Sequence, residues 1–164
     1  MSTTSSEVSM GDYSTASRKS LYTNAVKTCT RIAVVGSYSN GSHGKDRFLA
    51  HIAENIDPIN GENTLLDQFI EEIDQAKHNG LVIEEAVVLK ADDNDEDLDE
   101  FNRKVVHVIE QGIGVVAKVA SHSADVKYEM QITEDKEICF RPEAEGIDDE
   151  EEDWETYSEW ATGQ

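Results

Sequence analysis

At 164 residues, with 35 acidic and 14 basic side chains and a formal net charge of −21, the chain is sized for one domain with a single core. That charge opposes attachment to nucleic acid or to an anionic membrane by bulk attraction, and it favours a basic partner. Cys29 and Cys139 are the only cysteines, too few for a disulfide framework, so a reducing, cytoplasmic setting is expected.

Residues 1–20 are rich in Ser and Thr, lack the apolar core of a secretory signal, and hold almost nothing to bury; disorder is expected. No apolar run approaches the roughly 18 residues a membrane span needs. Residues 21–30 are too poor in apolar side chains to assign, and a short helix leading into the first strand is one outcome.

The stretch that organises the chain is 31–56. Ile32, Ala33, Val34 and Val35 form a continuous apolar run, as in a strand covered on both faces. Residues 36–44 hold three Gly, three Ser and one Asn, a turn-forming composition that exposes backbone N–H groups. From Lys45 onward, Phe48, Leu49, Ile52, Ala53 and Ile56 fit one face of a helix. A strand feeding a Gly-rich loop into a helix is one way to build a phosphate site, with Gly41, Ser42, Gly44 and Lys45 as candidate ligands. The full phosphate-loop pattern G-x-x-x-x-G-K-[ST] fails at two of four positions, where Ser39 and Asp46 stand. The dinucleotide pattern G-x-G-x-x-G does not occur. Ser37 to Gly41 approaches the nucleophile-elbow pattern G-x-S-x-G but lacks its first Gly. Its base would have to be His107 or His122 in a chain too short for the usual hydrolase sheet.

Asp57, Pro58, Asn60 and Gly61 signal a turn. A helix follows from Thr64, which stands three residues before Asp67 as in a capping box. Leu65, Leu66, Phe69, Ile70, Ile73 and Ala76 carry its period, Lys77 and His78 suit its last turn, and Gly80 closes it. Residues 81–90 read as a strand on the strength of Val82, Ile83, Val87 and Val88, with Glu84 and Glu85 marking a bulge or a wet edge. The acidic run Asp92, Asp93, Asp95, Glu96, Asp97 then leads a third helix over Leu98, Phe101, Val105, Val108 and Ile109, ending at Gly112. This run lacks the Gly and Glu that a calcium loop needs at its sixth and twelfth positions. The five His residues have no metal-ligand spacing, so no metal and no cofactor are expected.

The remainder is β. Residues 113–121 make one strand. Val126, Tyr128, Met130 and Ile132 alternate with polar residues in another, and 138–141 return after a turn at Glu134 and Asp135. The expected order is β-α-α-β-α-β-β-β. That predicts an α+β or α/β fold with a small mixed sheet and helices packed on one face, over residues 21–142.

Residues 143–159 carry ten acids and no Lys or Arg, so 143–164 is expected to be a tail that packs little against the core. Its removal is then expected to leave the melting temperature nearly unchanged. Trp154, Tyr157 and Trp160 recur every third residue within it. This clustering of acid is unlike a halophilic surface, where acids spread evenly. The composite expectation is a non-catalytic inhibitor or adaptor that binds a basic, nucleic-acid-handling protein. Carboxylates would imitate phosphates through Asp92, Asp93, Asp95, Glu96 and Asp97, together with Asp149, Glu150, Glu151, Glu152 and Asp153. Trp154, Tyr157 and Trp160 would be the anchors. The alternatives are a nucleotide- or phosphate-binding enzyme built on 31–56, and a structural assembly subunit.

Overall fold

The computed structural model describes residues 6–8, 12–23, 29–39, 41–53, 64–143 and 153–163. In chain order the strands are β1 (Ser6–Val8), β2 (Asp12–Ala16), β3 (Leu21–Thr23), β4 (Thr30–Tyr38), β5 (Arg47–Ile52), β6 (Leu81–Asp92), β7 (Lys118–Ser123), β8 (Tyr128–Ile132), β9 (Ile138–Pro142) and β10 (Glu155–Thr156). The helices are α1 (Leu65–His78), α2 (Glu96–Ile113) and α3 (Tyr157–Thr162). They build an α+β fold from two mixed five-stranded sheets, ordered β2-β5-β4-β6-β7 and β1-β3-β8-β9-β10.

The first sheet lies in the middle and is buried on both faces. Toward the helices it turns Ile32, Val34, Phe48, Ala50, Ile52 and Val88, which meet Leu66, Phe69 and Ile73 of α1 and Phe101, Val105 and Ile109 of α2. Toward the second sheet it turns Ala33, Val35, Leu49, Val87 and Leu89, which meet Met130, Ile132, Ile138 and Phe140. This is why β4 reads as an unbroken apolar run: neighbouring side chains enter different apolar layers.

The helix expected over 45–56 is instead strand β5, paired antiparallel with β4 from Thr30↔Ile52 to Val35↔Arg47. The spacing of Phe48, Leu49 and Ile52 imitates a helical face. In a doubly covered strand, however, Phe48 and Ile52 serve one layer and Leu49 the other, so period alone does not decide. The Gly-rich segment is accordingly a hairpin connection.

The amino-terminal region also differs from expectation. β2 adds to the edge of the middle sheet along β5, and Tyr13 packs edge-on against Phe69 with centroids 6.0 Å apart. β1 pairs parallel with β3, and Val8, Ala16, Leu21 and Thr23 are buried. Edge strands gain most of their order from backbone pairing, which needs few apolar side chains.

The expectation that 143–164 packs little is corrected for its described part. β10 pairs with β9 (Thr156↔Cys139), and α3 starts from a capping box between Thr156 and Glu159. Tyr157 and Trp160 then pack against the core between the sheets. Asp149, Glu150, Glu151 and Glu152 lie outside the described residues.

Helix α1 begins as its sequence dictates, with Thr64 Oγ1 accepting the Asp67 N–H at 3.1 Å. Helix α2 is N-capped by Asp95 and closed by Gly114 at φ 75°. Gly112 therefore does not end α2. It lies inside the helix, where a Cβ would stand 2.8 Å from Ile70 side-chain atoms of α1. The strand expected over 113–121 begins at Lys118 and runs parallel to β6. Of the two readings of Glu84 and Glu85, a bulge is present: pairing jumps from Val35↔Glu85 to Gly36↔Ile83, so Glu84 is the extra residue.

Candidate functional site

Three polar regions are positioned by this fold. The first is an acidic crest where β6 ends and α2 begins. Asp92, Asp93, Asp95, Glu96 and Asp97 are all exposed there. Asp95 Oδ1 accepts the N–H groups of Asp97 (2.9 Å) and Leu98 (3.4 Å), so the carboxylate that leads the helix is spent on its cap. Asp92 pairs with Lys90 at 2.8 Å. Partial burial pushes the Asp92 carboxyl up, but the Lys90 hydrogen bond and charge prevail and hold it below the usual range. Among the described residues no cation pairs with Asp93, Glu96, Asp97 or Asp99. Beside the crest, a groove of about 650 Å³ is lined by Asp92, Glu96, Asp99, Asn102 and Arg103 with Lys90.

The fold separates the crest from the aromatic residues expected to act with it. Asp92 pairs with Ser123 at the end of β7, whereas Lys118 at its start lies over the Tyr157 ring, 5.7 Å from the centroid. Five strand residues put these ends roughly 17 Å apart. Trp154 is covered by the Arg141 guanidinium at 4.2 Å, and Trp160 sits 5.7 Å from Tyr157, centroid to centroid. All three rings are half-buried on their own domain, while Asp153 is exposed.

The second region is a cleft of about 700 Å³ at the end of the sandwich. It brings together Gly41, Ser42 and Gly44, three of the four candidate phosphate ligands. The fourth, Lys45, does not line it and instead pairs with Glu72 of α1 at 3.7 Å. In its place stand Arg18 and Lys136, which sequence reasoning missed because each lies in a different turn, far from the loop along the chain. Buried Arg47 ties these turns together. It donates to the carbonyls of Thr133 (2.9 Å), Glu134 (2.8 Å), Ser17 (3.4 Å) and Lys19 (3.5 Å) and pairs with Asp46 at 2.9 Å. Lys136, at φ 65°, donates to Gly36 O and Ser37 Oγ, both at 2.8 Å. The Tyr38 hydroxyl donates to Lys45 O at 2.7 Å and fixes the loop's return. Burial, with Asp46 nearby, raises the Tyr38 phenol.

Between the sheets lies a third polar group, the fully buried Arg31. Its Nη2 donates to Tyr128 O at 3.0 Å, and its Nη1 to His122 Nε2 at 3.2 Å. His122 therefore carries its proton on Nδ1, which donates to Ser123 O at 2.8 Å, and its ring stacks on Tyr128 at 4.3 Å. His51, opposite Arg31 on β5, donates from Nδ1 to Val8 O at 3.4 Å, and its buried Nε2 has no partner among the described residues. Burial lowers Arg31 to about 10. Burial and then the Arg31 charge lower His51 and His122 to about 4.

Among the described residues no three His, Cys, Asp or Glu side chains gather as metal ligands, and no helix is long and apolar enough to cross a membrane. No protein-family model matches the chain, and no curated protein matches it.

Proposed function

We propose that the chain is a non-catalytic binding module that docks a basic, nucleic-acid-handling protein on its acidic crest, the carboxylates standing where phosphates would. The observation that carries this is the exposure of Asp93, Glu96, Asp97 and Asp99 on a strand–helix junction with no cation paired to them among the described residues. A surface ion pair within the chain would have to be broken before a partner could bind, and among the described residues these four have none to break. Their place on a strand–helix junction also lowers the ordering cost of docking. The half-buried Trp154, Tyr157 and Trp160 stabilise the chain's own fold in this proposal and are not its anchors.

The test is capture from native extract at low salt, followed by a salt gradient. A variant carrying Asp93→Asn, Glu96→Gln, Asp97→Asn and Asp99→Asn should lose the captured basic protein. A control with equal charge change at Asp67, Glu71, Asp125 and Glu134 should keep it. Equal loss in both variants would reduce the effect to bulk charge and sink the proposal.

A further inference from the structure

The cleft between the β4–β5 hairpin and the turns at residues 17–18 and 136 differs in electrostatic character from the rest of this acidic chain. Its lining offers the cations Arg18 and Lys136 beside the carboxylate Asp46, and Glu84 reaches Lys136 from outside the lining at 3.8 Å. The Asp46 carboxylate is already paired with buried Arg47 at 2.9 Å. Arg18 is exposed and makes no ion pair among the described residues, so its guanidinium fork is free. Lys136 has three N–H donors and spends two of them, on Gly36 O and Ser37 Oγ. Asp46 and Glu84 stand at 3.7 and 3.8 Å, too far to take the third as a hydrogen bond. Lys136 holds this place from a left-handed backbone, φ 65°, a conformation that costs a non-Gly residue energy and that clusters where a side chain must be aimed. Opposite these cations, Gly41 at φ 73° has nothing within 4 Å of where a Cβ would be, so the backbone of the hairpin tip is open to an incoming group. Ser17 and Ser42 add hydroxyl donors around the rim, while Ser37 spends its proton on Glu84 Oε1 at 2.7 Å.

We infer that this cleft binds a phosphate-bearing small molecule, with Arg18 and the free Lys136 proton on the phosphate oxygens and the Gly41–Ser42 backbone closing over them. The inference is independent of the acidic crest, which lies on a different part of the fold. It also replaces Lys45, the cation the loop's own sequence suggests, with two cations from distant turns. At about 700 Å³ the space exceeds one phosphate and admits the body of a mononucleotide, with the half-buried Tyr38 as an aromatic wall. The net charge of −21 works against any anion at long range, so binding has to come from contact-distance donors and is expected to be weak, with dissociation constants of roughly millimolar order.

The experiment is a backbone-amide NMR titration of the full chain with inorganic phosphate, pyrophosphate and ADP, each without metal. Saturable shifts confined to residues 17–19, 36–46 and 134–137 are expected. Arg18→Ala and Lys136→Asn should each weaken binding by about tenfold, and Lys45→Ala should leave it unchanged. ADP binding more tightly than pyrophosphate assigns the remaining volume to a nucleoside, and equal affinity assigns the site to the phosphate group alone. Lys136→Asn also removes a tie to β4, so Arg18→Ala, at an exposed residue, is the decisive variant if the other fails to fold. Absence of saturable shifts up to roughly 10 mM with all three probes, or undiminished binding in Arg18→Ala, overturns the inference. Neither result touches the crest, whose variants leave the cleft intact.

Discussion

Acidification should loosen this fold from inside, and the two buried histidines set where. His51 and His122 are lowered from 6.5 to about 4 by burial and by the Arg31 charge. The unfolded chain therefore takes up protons near pH 6.5, while the native state refuses them until about pH 4. Stability is whole above pH 6.5 and is lost as pH falls through that window. For each histidine the loss is about 2 kcal/mol by pH 5 and about 3 kcal/mol by pH 4. The geometry says what breaks. His122 Nε2 accepts a hydrogen bond from Arg31 Nη1 at 3.2 Å. An imidazolium there would turn an acceptor into a donor facing a second cation. Arg31 also holds Tyr128 O of the outer sheet, and His51 holds Val8 O of β1. The two sheets are therefore the units expected to part. Relief of the −21 charge acts in the opposite direction, and replacing the two histidines separates the two effects.

The assay is thermal unfolding by far-UV circular dichroism at fixed ionic strength from pH 7 to pH 5. The two sites share Arg31, so their losses are not additive. With about 2 to 4 kcal/mol at stake, the melting temperature should fall by roughly 10 °C between pH 7 and pH 5. A double variant, His51→Gln with His122→Gln, should be less stable at pH 7 but should lose most of the pH dependence. A flat profile in the parent chain, or an undiminished slope in the double variant, would refute the assignment.

Two further outcomes follow from packing. Gly36→Ala places a Cβ 2.4 Å from Val82 O, a backbone atom across the bulge that cannot swing away, and should cost roughly 2–4 kcal/mol in urea unfolding; a neutral result would mean the bulge is misplaced. Truncation after residue 143 removes β10, the Trp154 ring over Arg141 and the packing of Tyr157 and Trp160. It should lower stability by about 3 kcal/mol. In the intact chain tryptophan emission should be blue-shifted and weakly quenched by acrylamide, and red-shifted, readily quenched emission would show that this segment does not hold to the core.

What is legible in the sequence is decided by how many layers a residue serves. Helix α1 announces itself because one face alone is buried: Thr64 caps it, Leu66, Phe69, Ile73 and Ala76 repeat at helical spacing with Leu65 and Ile70 flanking them, and polar residues fill the opposite face. Strand β8 is equally plain, since Met130 and Ile132 point inward and Glu129 and Gln131 do not. β5 is illegible for the opposite reason. Phe48 and Leu49 are both fully buried against different layers, so the strand's period of two is lost and a helical spacing appears in its place. The short strands β1, β2 and β10 take their order from partners elsewhere in the chain, so Ser, Thr and Asp at those positions carry no signal of it. At the cleft, Gly41, Ser42 and Gly44 are readable as a loop. Arg18 and Lys136 are brought to them by Arg47, whose role depends on carbonyls more than 80 positions away.

The charge balance itself acquires a structural sense from where the cations go. Arg31 and Arg47 are buried as ties between sheets and between turns. Arg141 is held by Glu129 and by the face of Trp154, Lys77 donates to Ile113 O at the end of α2, and Lys118 is shared between Glu85 and Tyr157. Cations fixed as internal ties do not answer surface acids, and on the crest only Asp92 is paired among the described residues, with Lys90. Arginine suits the interior ties because its planar fork can satisfy several carbonyls at once, as Arg47 does with four, where a lysine offers a single point charge. Arg18, like Lys19, Arg103 and Lys127, is outside this allocation. It is a basic side chain that the described structure does not use to hold itself together, and it lies at the mouth of the cleft where a small anion would meet it.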